Sequence, residues 1–164
     1  MGIVYIAVQT QNNYIVGFVS GVTNTKKFYI SFLLQKGLIA MPFLLNKIFN
    51  LQFIKKFIES LTVPFKKKTI DNIASDSDSL PELISIAVLS ETKGQGVGGL
   101  LVSKLEEHFA DIGIKKYSVV VGEKLEMANN FYQKLGFLKN HQITVHGQDR
   151  SNVYVKKVQQ DTDT

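Results

Sequence analysis

Four glycines fall within six residues, at Gly94, Gly96, Gly98 and Gly99. Just upstream, Leu83, Ile84, Ile86, Ala87 and Val88 make an apolar run, and residues 90–93 a polar turn. Just downstream, an amphipathic pattern begins at Val97. A buried strand, a glycine-rich turn and a helix in that order form a cradle for an anion. The N–H groups at a helix N-terminus have no intrahelical acceptor, and the helix dipole favours negative charge there. Glycine adds no Cβ, so a phosphate can approach the backbone closely.

Three kinds of phosphate cradle compete. A P-loop needs G-K-[ST] after its glycines, and here Gly98-Gly99 runs into Leu100-Leu101, which excludes it. The dinucleotide fingerprint G-x-G-x-x-G does match, at Gly94, Gly96 and Gly99, and Glu123 lies near the end of the following strand, where a ribose-binding acid is wanted. Only about 40 residues follow Glu123, enough for one helix and a hairpin. A dinucleotide fold requires several further βα units.

The third cradle accounts for more of the chain. Residues 83–137 resemble the GNAT family of acetyl-CoA-dependent N-acyltransferases. Lys93-Gly94-Gln95-Gly96-Val97-Gly98 is similar to that family's Q/R-x-x-G-x-G/A signature, with Ile86-Ala87-Val88 before it at the family's spacing. The later A-x-x-F-Y-x-K-x-G-F block is present as Ala128, Phe131, Tyr132, Lys134, Gly136 and Phe137. The resemblance implies acetyl-CoA as co-substrate. Backbone groups of Ile86, Ala87 and Val88 would pair with the pantetheine arm. Lys93 and the turn of Gly94, Gln95, Gly96, Val97, Gly98 and Gly99 would hold the pyrophosphate. Tyr132 would protonate the leaving thiolate; its alternative is a core aromatic. Lys93 replaces an arginine or glutamine and lacks the planar fork. Leu125 stands where many members carry an asparagine that touches the coenzyme. The chain also starts at what would be the family's second strand, without the usual first strand and two helices.

The elements that must position these residues are legible from periodicity. Residues 2–9 and 14–20 read as a hairpin around Gln11-Asn12-Asn13. Residues 97–112 read as a helix burying Val97, Leu100, Leu101, Leu105, Phe109 and Ile112, stopped by Gly113. Residues 116–121 read as a strand, so strand, helix and strand imply a parallel pair. Residues 125–135 form the next helix, with Met127, Phe131 and Leu135 on one face, ended by Gly136. Two strands, 137–145 and 152–158, close the chain around a turn at 147–150, and 159–164 is a tail. The expected fold is α/β (α+β): a mixed central sheet flanked by helices, in a single domain over residues 1–158.

Residues 26–68 differ in composition. They hold seven of the eleven phenylalanines, nine lysines and one acid, a charge of 9 − 1 = +8, against 10 − 13 = −3 elsewhere. They read as a Phe/Lys-rich helical insertion: a short helix from Phe28 to Gln35, then an amphipathic helix over 43–61, then a Ser/Asp-rich loop over 69–80. Half-burial of a Phe face on the sheet accounts for this pattern better than contact with an anionic membrane surface. A single arginine, Arg150, and no recognised binding motif argue against nucleic acid.

With no cysteine, thiolate catalysis, disulfides and thiolate metal sites are excluded. The three histidines lack metal-motif spacing, so no metal is expected. No signal peptide or membrane-length apolar run is visible, which reads as cytoplasmic. Acetyl transfer to an amine needs a neutral nucleophile and hence a base. Glu82, at the mouth of the central strand, is the choice, with Ser85, His141 and His146 as alternatives; Ser118 and Glu123 could line the site. The acceptor reads as a small-molecule amine, for instance a nucleotide-linked amino sugar. The other reading is a remnant that binds the coenzyme and transfers nothing. An unwalled front edge of the sheet would invite a homodimer.

Overall fold

β1 (Gly2–Val8) and β2 (Ile15–Val22) form the expected hairpin. Its turn is held by Gln9 N donating to Tyr14 O at 2.9 Å and by Asn13 in the left-handed region. They belong to a computed structural model that describes residues 2–28, 30–31, 80–146 and 149–159. The expected helix over 43–61, nearly all of the loop over 69–80 and most of the tail lie outside the described residues. A helical turn does begin at residue 25, where the Asn24 side chain accepts from Lys27 N at 2.9 Å.

β3 (Glu82–Val88), a short 3-10 turn (Ser90–Thr92), α1 (Val97–Asp111), β4 (Lys116–Gly122), α2 (Glu126–Lys134), β5 (Leu138–His146) and β6 (Asp149–Lys157) follow in order. Among the described residues, six strands form one sheet in the order β1-β2-β3-β4-β6-β5, antiparallel except for the parallel β3–β4 pair. The last strand starts at Asp149, three residues earlier than its apolar run suggests. Its front end is polar, but it pairs with β5 down to His146.

Both helices end as glycine at positions 113 and 136 predicts. Gly113 and Gly136 take positive φ, and the bonds Ile114 N to Phe109 O and Phe137 N to Tyr132 O close each last turn. The Phe137 ring then packs on Tyr132 with centroids 5.3 Å apart, the apolar contact that accompanies this motif.

Register defines two faces. One row across the sheet runs Ile3, Gly21, Leu83, Val119, Tyr154. It faces α1 and α2 and makes the core with Leu101, Val102, Leu105, Phe109 and Tyr132. Gly21 is there because α1 lies almost on the backbone: a Cβ would come 2.9 Å from Leu105 Cδ1. The adjacent row, Val22, Glu82, Ser118, Val155, Leu138, points to the opposite face.

Three expected core residues are outside it. Leu100 is 71% exposed, Ile112 49% and Met127 79%. The α1 stripe centres on Leu101, Val102, Leu105 and Phe109, which leaves Leu100 on the flank. Ile112 is already the C-terminal cap, turned away from the stripe. Met127 lies in the first turn of a nine-residue helix whose buried side is set by Asn129 and Tyr132.

Candidate active site

The site begins where the sheet comes apart. β4 pairs with β6 through seven residues, from Lys116 to Gly122, but with β3 at only two positions, Glu82 with Ser118 and Leu83 with Val119. The cause is local. On β2, Ser20 faces Ser85 and Gly21 faces Leu83, so Ile84 is an extra residue, a bulge. Bulges bend a strand and increase its twist, and beyond this one β3 leaves β4. The joint is pinned at its closed end by Ser118, whose N and Oγ both donate to Pro81 O, at 2.8 and 3.3 Å.

Leu89 N donates to Val16 O at 2.8 Å on the β2 side. Alternate residues of an antiparallel strand present their backbone groups to alternate sides. Ile86 and Val88 therefore turn their N–H and C=O into the opened joint, where no described strand pairs with them. Ala87 turns its own toward β2. Of the three residues expected to offer backbone to a coenzyme arm, two are oriented for it and Ala87 is not.

At the open end lies the glycine turn. Gly96 takes φ +82° and is the N-terminal cap of α1, with no side chain capping the helix. The first intrahelical bond is Leu100 N to Gly96 O at 3.0 Å, so the N–H groups of Val97, Gly98 and Gly99 precede it and lack intrahelical partners. Gly98 packs closely: a Cβ there would stand 3.2 Å from two ring atoms of Phe131, so a larger side chain needs the ring to give way. Gln95 behaves otherwise. Its N–H donates to Thr92 O and its side chain to Glu91 O, so it stabilises the turn and does not face the cleft.

These parts surround one cleft of about 400 Å³. Every residue expected to bind the coenzyme lines it except Gln95, and Thr92 and Phe131, not foreseen in that role, complete its wall. Phe131, the first residue of the F-Y pair, is the one that lines the cleft. Tyr132 sits behind it, 5% exposed, edge-on to Phe131 at 5.1 Å and to Phe137 at 5.3 Å. Burial pushes its phenol up to about 12. Leu125 caps α2 and is exposed.

The turn between β4 and α2 is held by a network that sequence reasoning missed. Asn129, buried on α2, donates to the carbonyls of Gly122 and Leu125 at 2.9 and 2.7 Å. Its Oδ1 accepts from Asn152 at 2.8 Å and Tyr154 at 2.9 Å. Gln142 bridges Asn152 and Glu123, at 2.8 Å to each. Glu123 is thus tied to β5, away from the cleft. A polar residue in mid-helix reads as solvent-facing, and no pattern in the sequence signals otherwise. Tyr117 shows a related arrangement: its hydroxyl donates to Glu106, which also pairs with Lys156, and desolvation raises its pKa well above the ordinary value.

Glu82 lies at the closed end of the joint on the face opposite the helices, between Val22 and Ser118. Ser85 shares that face through its pairing with Ser20. Thr25 donates to Glu82 Oε2 at 3.1 Å. His141 also points to that face, opposite Val153, but three strand spacings away, roughly 14 Å across the sheet. His146 ends β5, further along the same strand. The structure therefore groups Glu82 with Ser85, Ser118 and Thr25 and separates it from His141.

Residues 69–137 match the family model described as Acetyltransferase (GNAT) family. No curated protein matches by sequence. Among solved structures, the chain is similar to a GNAT-family acetyltransferase from Desulfovibrio desulfuricans, at 12% identity over 96% of this chain and 69% of that one, with a TM-score of 0.58. It is similar to an N-acetyltransferase from Staphylococcus aureus at 17% identity over 93% and 69%, TM-score 0.55. It is also similar to NAA60 of Arabidopsis thaliana, solved in complex with acetyl-CoA, at 12% identity over 96% and 76%, TM-score 0.53. At these identities the structural likenesses establish the fold.

Proposed function

We propose, because residues 69–137 match the model of the GNAT acetyltransferases, a family of acyltransferases that use acetyl-CoA, that the chain transfers the acetyl group of acetyl-CoA to the primary amine of a small molecule such as a nucleotide-linked amino sugar. The observation that carries this reading is the opened β3–β4 joint, which ends on an uncapped helix N-terminus. An extended arm can add to β3 through Ile86 and Val88 as a neighbouring strand would. Its pyrophosphate then meets the free N–H groups of Val97, Gly98 and Gly99, with the Lys93 cation alongside.

The two catalytic groups approach from opposite faces of the sheet. Glu82 takes a proton from the acceptor nitrogen, directly or through water, as the nitrogen lone pair attacks the thioester carbonyl carbon. The C–S bond breaks and negative charge moves to sulfur. Tyr132 stands on the helix face, buried behind Phe131, and its hydroxyl would reach that sulfur from this side. A phenol near 12 is a weaker acid than a thiol, ordinarily about 8.5. Complete transfer of its proton is uphill by roughly 3.5 pKa units. Its contribution on this reading is a hydrogen bond to the charge developing on sulfur.

On this reading residues 1–158 act as one catalytic domain, in the cytoplasm with the coenzyme. Among the described residues no helix is long and apolar enough to cross a membrane. The outer edge of β1 carries no charge or proline (G-I-V-Y-I-A-V), and a second copy pairing there fits the usual fate of such edges. Calorimetric titration with coenzyme A and, separately, NAD tests the cofactor. Thiol release from acetyl-CoA across a panel of amino sugars, polyamines, amino acids and a peptide α-amine tests transfer. Saturable coenzyme A binding with turnover on an amino sugar is expected. NAD binding in its place, or no turnover on any amine, contradicts the proposal.

A further inference from the structure

Thr25 occupies an unusual position for a loop residue. Asn24 caps the helical turn that begins there: its Oδ1 accepts from Lys27 N at 2.9 Å and its carbonyl from Phe28 N at 3.0 Å. That cap fixes the backbone of Thr25 as the first residue of the turn. Its side chain is β-branched, so few χ1 values are open to it. In the one it adopts, Oγ1 lies 3.1 Å from Glu82 Oε2 and 3.5 Å from Leu80 O.

A threonine hydroxyl has one proton and two lone pairs, whereas a backbone carbonyl only accepts. While Glu82 is ionised, the proton belongs on the nearer, charged acceptor, where a hydrogen bond is stronger. Once Glu82 has gained a proton, the same hydroxyl can accept from the carboxyl group and donate to Leu80 O. One side chain can satisfy both protonation states without moving, which is what a base must have if it is to cycle.

We infer that Thr25 is the positioning residue for the Glu82 general base, orienting its carboxylate toward the acceptor through the Thr25 Oγ1–Glu82 Oε2 hydrogen bond. This rests on the proposed role of Glu82. It makes the start of the β2–β3 connection part of the catalytic apparatus, although no family signature falls there. Among the described residues, the charged groups on the elements around Glu82 are Lys26 and Lys27 on the same helical turn, Lys116 two residues before Ser118 on β4, and Lys157 paired with Lys116 on β6. β2 contributes none. A hydrogen bond donated to the ionised form favours that form, so its loss must raise the proton affinity of Glu82.

The test follows the Glu82 carboxyl itself, by ¹³C NMR of the full chain labelled at glutamate Cδ, with Glu82→Gln to assign the resonance. Thr25→Val, and Thr25→Ala as the smaller alternative should valine fail to fold, should move the Glu82 midpoint upward by about one pH unit, roughly tenfold in proton affinity. Thr25→Ser should return it close to the wild-type value. An unchanged midpoint in a folded Thr25→Val or Thr25→Ala protein overturns the inference. Thiol release by Glu82→Gln, with the most active amine of the panel, keeps the two failures apart. Full turnover there removes Glu82 as the base, whereas a fixed midpoint removes only Thr25.

Discussion

β4 has two neighbours, and it treats them differently. Toward β6 it is paired along its whole length; toward β3 it is paired at Glu82 and Leu83 and then parted from it. Its valines supply the same β propensity to both sides. The difference lies in one inserted residue, Ile84, on the far side of β3. A continuous joint is structure, and a parted one can receive a ligand, because among the described residues it leaves backbone donors and acceptors without a strand partner. An arm with alternating amides satisfies them as a strand would.

Removing that difference has the largest expected effect. Deleting Ile84 lets Ser20–Ser85 and Gly21–Leu83 fall into one regular register, and β3 can then continue along β4. The protein should remain folded by circular dichroism, and coenzyme A affinity by calorimetry should fall by more than ~100-fold, about 2.7 kcal/mol. Tyr132→Phe keeps the ring packing and removes the hydroxyl. Turnover should fall ~10²-fold, the scale for one donor to developing charge, with coenzyme A affinity unchanged. Gly98→Val sets a side chain against Phe131 at the cleft mouth, where a Cβ already stands 3.2 Å from the ring. Affinity should fall about tenfold, while a substitution at Leu138, on the well-paired side, leaves it alone. Lys93→Ala should show the smallest effect, a few-fold loss that shrinks further at high salt, since an exposed cation is screened.

Tyr132 also carries a pH signature. Its folded pKa lies above its unfolded value of about 10, so the stability that comes from burying the neutral phenol is fully present below pH 10 and is lost as pH rises toward 12. Thermal melts should show the wild type losing stability across that window. Tyr132→Phe should lose less, and Tyr117, also raised by burial, should account for part of the slope that remains.

The proposed coenzyme side of the site was legible because it depends on residue identity. Gly96 takes a left-handed conformation that strains any residue with a Cβ, and Gly98 leaves little room beside Phe131, so the sequence displays small residues there. Gly113 and Gly136 marked the helix ends for the same reason. What depends on register was not legible. Ile84 looks like any other residue of an apolar strand, and only its lack of a partner on β2 makes it a bulge. Leu100 and Met127 satisfied the helical period and still face outward, because a period gives spacing and not the phase of the buried stripe. Asn129 hid its role by being polar, and Thr25 by standing in a connection without periodicity. Glu82 was proposed from its place on the strand and Ser118 from the next strand, but Thr25, and the grouping of all three, only became visible once register joined the strands.

The central claim is that the parted β3–β4 joint receives the coenzyme. Backbone amide NMR during a coenzyme A titration tests it most directly. The account predicts saturable shifts at Ile86, Val88, Val97, Gly98 and Gly99, with the amides of the β4–β6 joint, such as Val153 and Val155, little changed. Saturable binding whose shifts leave Ile86 and Val88 untouched, or no binding at all, would contradict it.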